Sequence, residues 1–126
     1  MEVSPLPCRS PGRVRTGKGP DALAWKIVSE FREAVLAIRP DLGFRFTLFG
    51  SRARGDADEE SDVDILVELD VEKADRGTHR VLSDVAADLS LRHSVVVSLI
   101  ELDRERQRGR EGFPFLRTIR EEGVAA

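Results

Sequence analysis

The sequence predicts a small α/β domain, a mixed sheet with helices packed on it. Three observations lead there: an apolar period of helical spacing over 21–38, an alternating stretch at 44–48, and a β-rich run, helical stripe and second β-rich run between 62 and 100. With 126 residues there is room for one hydrophobic core. Hydrophobic residues make up 40% and charged residues 34%, enough for a core beneath a highly charged surface.

Residues 1–20 carry Pro5, Pro7, Pro11 and Pro20 and no hydrophobic period, and are expected to be a flexible tail. The folded domain is expected over 21–126. It opens with Asp21 as a helix N-cap, followed by Leu23, Ile27, Phe31, Ala34, Val35 and Ile38 on one helical face, and Pro40 ends that pattern. After the turn Asp41-Leu42-Gly43, Phe44, Phe46 and Leu48 alternate with Arg45 and Thr47 as a strand that runs into Gly50-Ser51. Residues 51–61 are too polar for a core and suit a turn of helix with an exposed loop.

A second strand is placed at 62–69, and 70–77 form a charged connector. Leu82, Val85, Ala86 and Leu89 define a helix over about 78–92, and Val95 to Ile100 form a third strand, apolar on both faces. This strand, helix and strand predict a parallel pair with a right-handed crossover. Residues 101–112 are read as a solvated helix or loop. Phe113, Leu116 and Ile119, with Pro114 near the first turn and Gly123 past the end, give a short last helix.

Charge and composition narrow the partners. Twenty Lys and Arg against 23 Asp and Glu give a net charge of −3, so no global basic field exists to hold a long nucleic acid. The lone Cys8 forms no intramolecular disulfide, and His79 and His93 do not make a zinc site, so a metal would be held by oxygens. No apolar run approaches the roughly 20 residues of a membrane span, and the N-terminus lacks a signal-peptide core; the expected location is cytoplasmic. Both histidines are expected at the surface, Trp25 at the core's edge or on a partner surface, and the phenylalanines in the core.

Asp62 and Asp64 carry the chemistry. Two residues apart on a strand, they share a face with Cα atoms roughly 6.5–7 Å apart, while Val63 points to the core. Mg²⁺ is usually held by one or two carboxylates together with water and phosphates, and the pair fits that habit. Gly50 and Ser51 stand where a strand ends, so the backbone can approach a ligand and the next amides can face phosphate. If the two strands are neighbours, turn and acids face one crevice. Arg52 and Arg54 flank the turn and either neutralise phosphate or pair with Asp56, Asp58, Glu59 and Glu60.

Gly50-Ser51, ten residues, then Asp62-Val63-Asp64 resembles the pattern of the minimal nucleotidyltransferases, relatives of the DNA polymerase β superfamily. The stretches Leu48–Gly55 and Glu60–Val67 are similar to that family almost residue by residue, and the element order over 21–101 agrees with its layout. The resemblance implies transfer of a nucleoside monophosphate, commonly AMP from ATP, to an acceptor hydroxyl. It implies Asp62 and Asp64 as catalytic ligands of one or two Mg²⁺ and Gly50 and Ser51 as the triphosphate-binding residues; beside them, Arg54 is a candidate nucleotide-binding residue from its place at the turn. Many small members of that family are antitoxins that add AMP to a tyrosine of a HEPN-domain ribonuclease toxin. The family usually supplies a third carboxylate from the next strand. Here the matching position holds Val97 or Ser98, and Glu101, about 10 Å further along, would face the other side unless a bulge re-aims it. The alternative is therefore a nucleotide-binding module that neutralises its partner by occupancy.

Overall fold

A computed structural model describes residues 20–55, 57, 58, 60–110 and 113–126. The expected tail, but for Pro20, lies outside the described residues. The elements are α1 (Ala22–Ile38), β1 (Phe44–Phe49), α2 (Ser51–Arg54), β2 (Val63–Leu69), α3 (Arg76–His93), β3 (Val97–Leu102), α4 (Arg104–Arg110), α5 (Pro114–Glu122) and β4 (Val124–Ala125). The sheet order is β3-β2-β1-β4, with β1 antiparallel to β2 and β4, and β2 parallel to β3. This is the α/β architecture with a small mixed sheet that the sequence predicts.

Alternation on the strands separates two faces. Phe46, Leu48, Val63, Ile65, Val67 and Leu69 join Ile27, Val28, Phe31 and Val35 of α1 and Leu82, Ala86 and Leu89 of α3 in the main core. Phe31 and Phe46 meet edge to face with ring centroids 5.7 Å apart, the arrangement aromatic quadrupoles favour. The opposite face packs Leu66 and Leu102 against Leu116 and Ile119 of α5, with Phe49 and Ile100 at its margin. Beyond α5, this second face carries the acidic pair.

Asp21 caps α1 as expected, its carboxylate accepting from the Ala24 amide at 2.7 Å. The buried stripe of α1 is rotated from the predicted one: Ala24 and Val28 are in the core, whereas Leu23 and Ile38 are exposed. The third strand begins two residues later than predicted. Ser94, in the left-handed region at φ 55°, ends α3, and Val95 and Val96 are used in returning the chain to the sheet.

His93 corrects the expectation of a surface histidine. It continues the Leu82, Ala86, Leu89 stripe, and its Nε2 lies 2.9 Å from Glu30 Oε1, bridging α3 to α1. That hydrogen bond holds the Glu30 carboxyl below its ordinary value of 4.5, against the opposing effect of burial. A depressed carboxyl stabilises the fold above its unfolded value and loses that contribution as pH falls through the folded one. Acid titration of unfolding should therefore show a loss below about pH 4.5 that Glu30→Gln flattens. The substitution should cost at most about 1 kcal/mol at neutral pH, because the pair is partly exposed.

The final helix buries Leu116 and Ile119, but Phe113 and Phe115 are exposed, correcting the expectation that the phenylalanines fill the core. Gly123 then turns the chain into β4, which pairs with Thr47 and Leu48. A Cβ at Gly123 would stand 2.4 Å from Thr47 Cγ2 and 2.5 Å from the Ile119 carbonyl oxygen, so this close approach requires glycine. No described helix is long and apolar enough to cross a membrane.

Candidate active site

The site is assembled where β1 ends and β2 begins. Register places Phe49 opposite Asp64, and Asp64 in turn beside Ser98 of β3, so these three side chains cross the sheet in one row on the α5 side. Asp62, just before β2, is exposed, and Asp64 is half-buried. The Ser98 hydroxyl lies 3.4 Å from Asp62 Oδ2.

Gly50 stands directly beneath Asp64. Its backbone, at φ 82° and ψ −165°, lies in a region nearly closed to other residues. A Cβ there would come within 2.4 Å of Asp64 Oδ2. The glycine therefore serves both the turn and the carboxylate packed on it. From Gly50 the chain enters α2, whose Ala53 and Arg54 amides donate to the Gly50 carbonyl at 3.1 and 3.2 Å.

Burial pushes the Asp64 carboxyl above its ordinary value, and the charge of Asp62 pushes it the same way. Two carboxylates raise each other's cost of ionisation when no cation separates them, so a divalent ion between them would be attracted by both. Among the described residues there is no group of three or more acidic, histidine or cysteine side chains arranged to hold a metal. Among the described residues, a cation here would meet the carboxylates of Asp62 and Asp64.

The arginines beside the turn part ways. Arg52, only 5% exposed, sends Nε to the Ser61 carbonyl at 2.8 Å and Nη1 to Asp21 Oδ2 at 3.1 Å. It ties α2 to both the start of α1 and the residue preceding Asp62. Arg54 is exposed and lies 3.5 Å from Glu122 of α5, at the rim of the turn. The sequence leaves Arg52 open between phosphate and surface acids, because a polar run gives no sign that one arginine folds inward as a buried brace. Arg52→Ala should destabilise the protein by about 2–3 kcal/mol, since charge-assisted hydrogen bonds to a carbonyl and a carboxylate are lost together. Chemical denaturation measures this directly.

Glu101 does not reach the acidic pair. It lies on the other face of β3, where its Oε1 is 2.9 Å from Nδ1 of His79 on α3. Ser98, then, holds the position beside Asp64. Asp103 is also committed elsewhere: burial acts to raise its carboxyl, but the Ala74 and Arg106 amides, each at 2.9 Å, hold it below the ordinary value. A cleft of about 370 Å³ at the far end of the sheet is lined by Arg45, Glu68, Asp70 and Arg104 among others, and neither Asp62 nor Asp64 borders it. Its charges are paired, Glu68 with Arg120 at 2.7 Å and Arg104 with Asp70.

A family model described as a nucleotidyltransferase domain matches residues 28–121, from the middle of α1 through α5. The chain belongs to the nucleotidyltransferase family. Two proteins of Methanocaldococcus jannaschii are similar to this nucleotidyltransferase. One, named "Putative protein adenylyltransferase MJ0604", is 34% identical over 98 residues, 78% of this chain and 92% of its own length. The other, named "Putative protein adenylyltransferase MJ0141", is 36% identical over 75 residues, 60% of this chain and 75% of its own length. No solved structure matches the chain. As a nucleotidyltransferase the protein is an enzyme acting on a nucleoside triphosphate, and the family generally uses a divalent metal.

Proposed function

We propose that this nucleotidyltransferase moves AMP from ATP to a side-chain hydroxyl of a partner protein, with Mg²⁺ held by Asp62 and Asp64. The observation that carries this reading is the Asp64 carboxylate seated on the Gly50 turn, because it joins a cation-binding group to a backbone able to receive phosphate. Gly50 and Ser51 would cradle the triphosphate, and Arg54 would approach it from the rim. One or two bound Mg²⁺ would neutralise phosphate charge and stabilise the departing oxygen. In the transfer the acceptor oxygen bonds to the α-phosphorus, the bond from that phosphorus to the bridging oxygen breaks, and pyrophosphate leaves while the hydroxyl proton passes to solvent. The remainder of the protein's task is positioning.

The relatives' names speak of protein adenylyl transfer, which favours a protein acceptor. We take that acceptor to be a tyrosine of a HEPN-type toxin, with this chain as the antitoxin acting in the cytoplasm. The 126 residues contain no tyrosine, so a tyrosine acceptor lies outside them. Residues 21–126 would form the catalytic domain and the preceding segment a tail.

Incubation with Mg²⁺, α-labelled ATP and the HEPN-domain product of a neighbouring gene tests the proposal. Label should appear on a tyrosine of the partner and vanish with Asp64→Asn. A stable complex with no label transfer, unchanged by Asp64→Asn, would overturn it in favour of a module that neutralises its partner by binding alone.

A further inference from the structure

Ser98 is the one neighbour that the sheet register supplies to the acidic pair from β3. It stands beside Asp64 in the parallel ladder, and its hydroxyl lies within 3.4 Å of Asp62 Oδ2. Asp62 is exposed and precedes the ladder, and among the described residues the Ser98 hydroxyl is the hydrogen-bond partner of its carboxylate. The backbone at this point is already held: the Val63 amide donates to the Val96 carbonyl at 2.8 Å, which docks the start of β2 on the approach to β3. A hydroxyl here contributes a hydrogen bond and no charge, whereas an acid at the same position would add a third negative charge.

We propose that Ser98 is a positioning residue that holds Asp62 beside Asp64, and that its neutrality makes this a two-carboxylate site for a single divalent cation in the absence of nucleotide. The inference rests on the proposed metal role of Asp62 and Asp64. Two consequences separate the hydroxyl from mere packing. Removing it frees Asp62, so cation affinity falls; replacing it by an acid raises the ligand charge, so affinity rises.

Mn²⁺ binding followed by electron paramagnetic resonance, without nucleotide, tests this on the full-length chain, with thermal unfolding to show that each variant is folded. Wild type should bind one Mn²⁺ per chain. Ser98→Ala should weaken binding by about tenfold, as loss of a group orienting a metal ligand does. Ser98→Thr, which keeps the hydroxyl on a β-branched side chain suited to a strand, should remain within about threefold of wild type. Ser98→Asp should tighten binding by about tenfold. Unchanged affinity in Ser98→Ala, or two Mn²⁺ bound to wild type, would overturn the role of Ser98 while leaving the metal reading intact. No Mn²⁺ bound by wild type would overturn both. The alanine and threonine variants decide the matter even if the aspartate variant does not fold.

Discussion

Replacing Asp64 by asparagine is expected to lower nucleotidyl transfer by at least about a hundredfold while leaving the fold intact. The asparagine is nearly isosteric, so the contact with Gly50 and the row from Phe49 to Ser98 survive. What disappears is one of two negative charges able to hold a cation. Each 1.36 kcal/mol of lost transition-state stabilisation is tenfold in rate, and the electrostatic effect of a bound metal amounts to several kcal/mol. Stability should not fall, because burial and the charge of Asp62 both oppose ionisation of Asp64 in the free protein. Single-turnover transfer of labelled nucleotide, read beside chemical denaturation of the same sample, separates the two effects. A variant retaining a tenth of the activity would place the cation elsewhere.

Gly50→Ala should abolish activity to a similar degree by a different route. The new methyl group must occupy space 2.4 Å from Asp64 Oδ2, and the backbone must hold φ 82° with ψ −165° against the preference of any residue with a Cβ. The backbone strain alone costs about 1–3 kcal/mol, so this variant, unlike Asp64→Asn, should also lose stability. Relief requires moving the carboxylate or unwinding the turn, and either separates the proposed metal ligand from the backbone proposed to meet phosphate. Combining the substitution with Asp64→Ala removes the clash and should recover part of the lost stability but none of the activity. A double-mutant cycle on denaturation midpoints measures that recovery.

The sheet and its two main helices were legible because burial on one face enforces period: Phe46 and Leu48 on β1 and the Leu82, Ala86, Leu89 series on α3 appear as the alternation and helical spacing predict. The position of the acidic pair followed from the same alternation, with Val63 and Ile65 inward and Asp64 outward. What the sequence concealed depended on tertiary contact. His93 fits the buried stripe by spacing, but its polar ring disguised it until Glu30 was seen across the helix interface. Strand β3 starts two residues later than its sequence suggests, because Val95 and Val96 have strand character yet lie in the reversal after Ser94. Strand β4 has two residues, too few for any period. The choice between Val97 and Ser98 needed the register itself, since shifting a strand by one residue exchanges its faces.

The pairing of β1 with β2 also bears on the order in which the molecule assembles. Phe49 and Asp64 meet across 15 positions of chain, whereas Thr47 and Ala125 meet across 78. For a flexible chain the longer closure costs about 1.5 kcal/mol more in entropy. The corner that brings Gly50 under Asp64 is thus among the cheapest long-range contacts to form, while the C-terminal strand must wait for nearly the whole chain. In reverse, β4, two residues long and paired with β1 alone at the sheet edge, is expected to fray first, so the corner at Gly50 should outlast the edge strand.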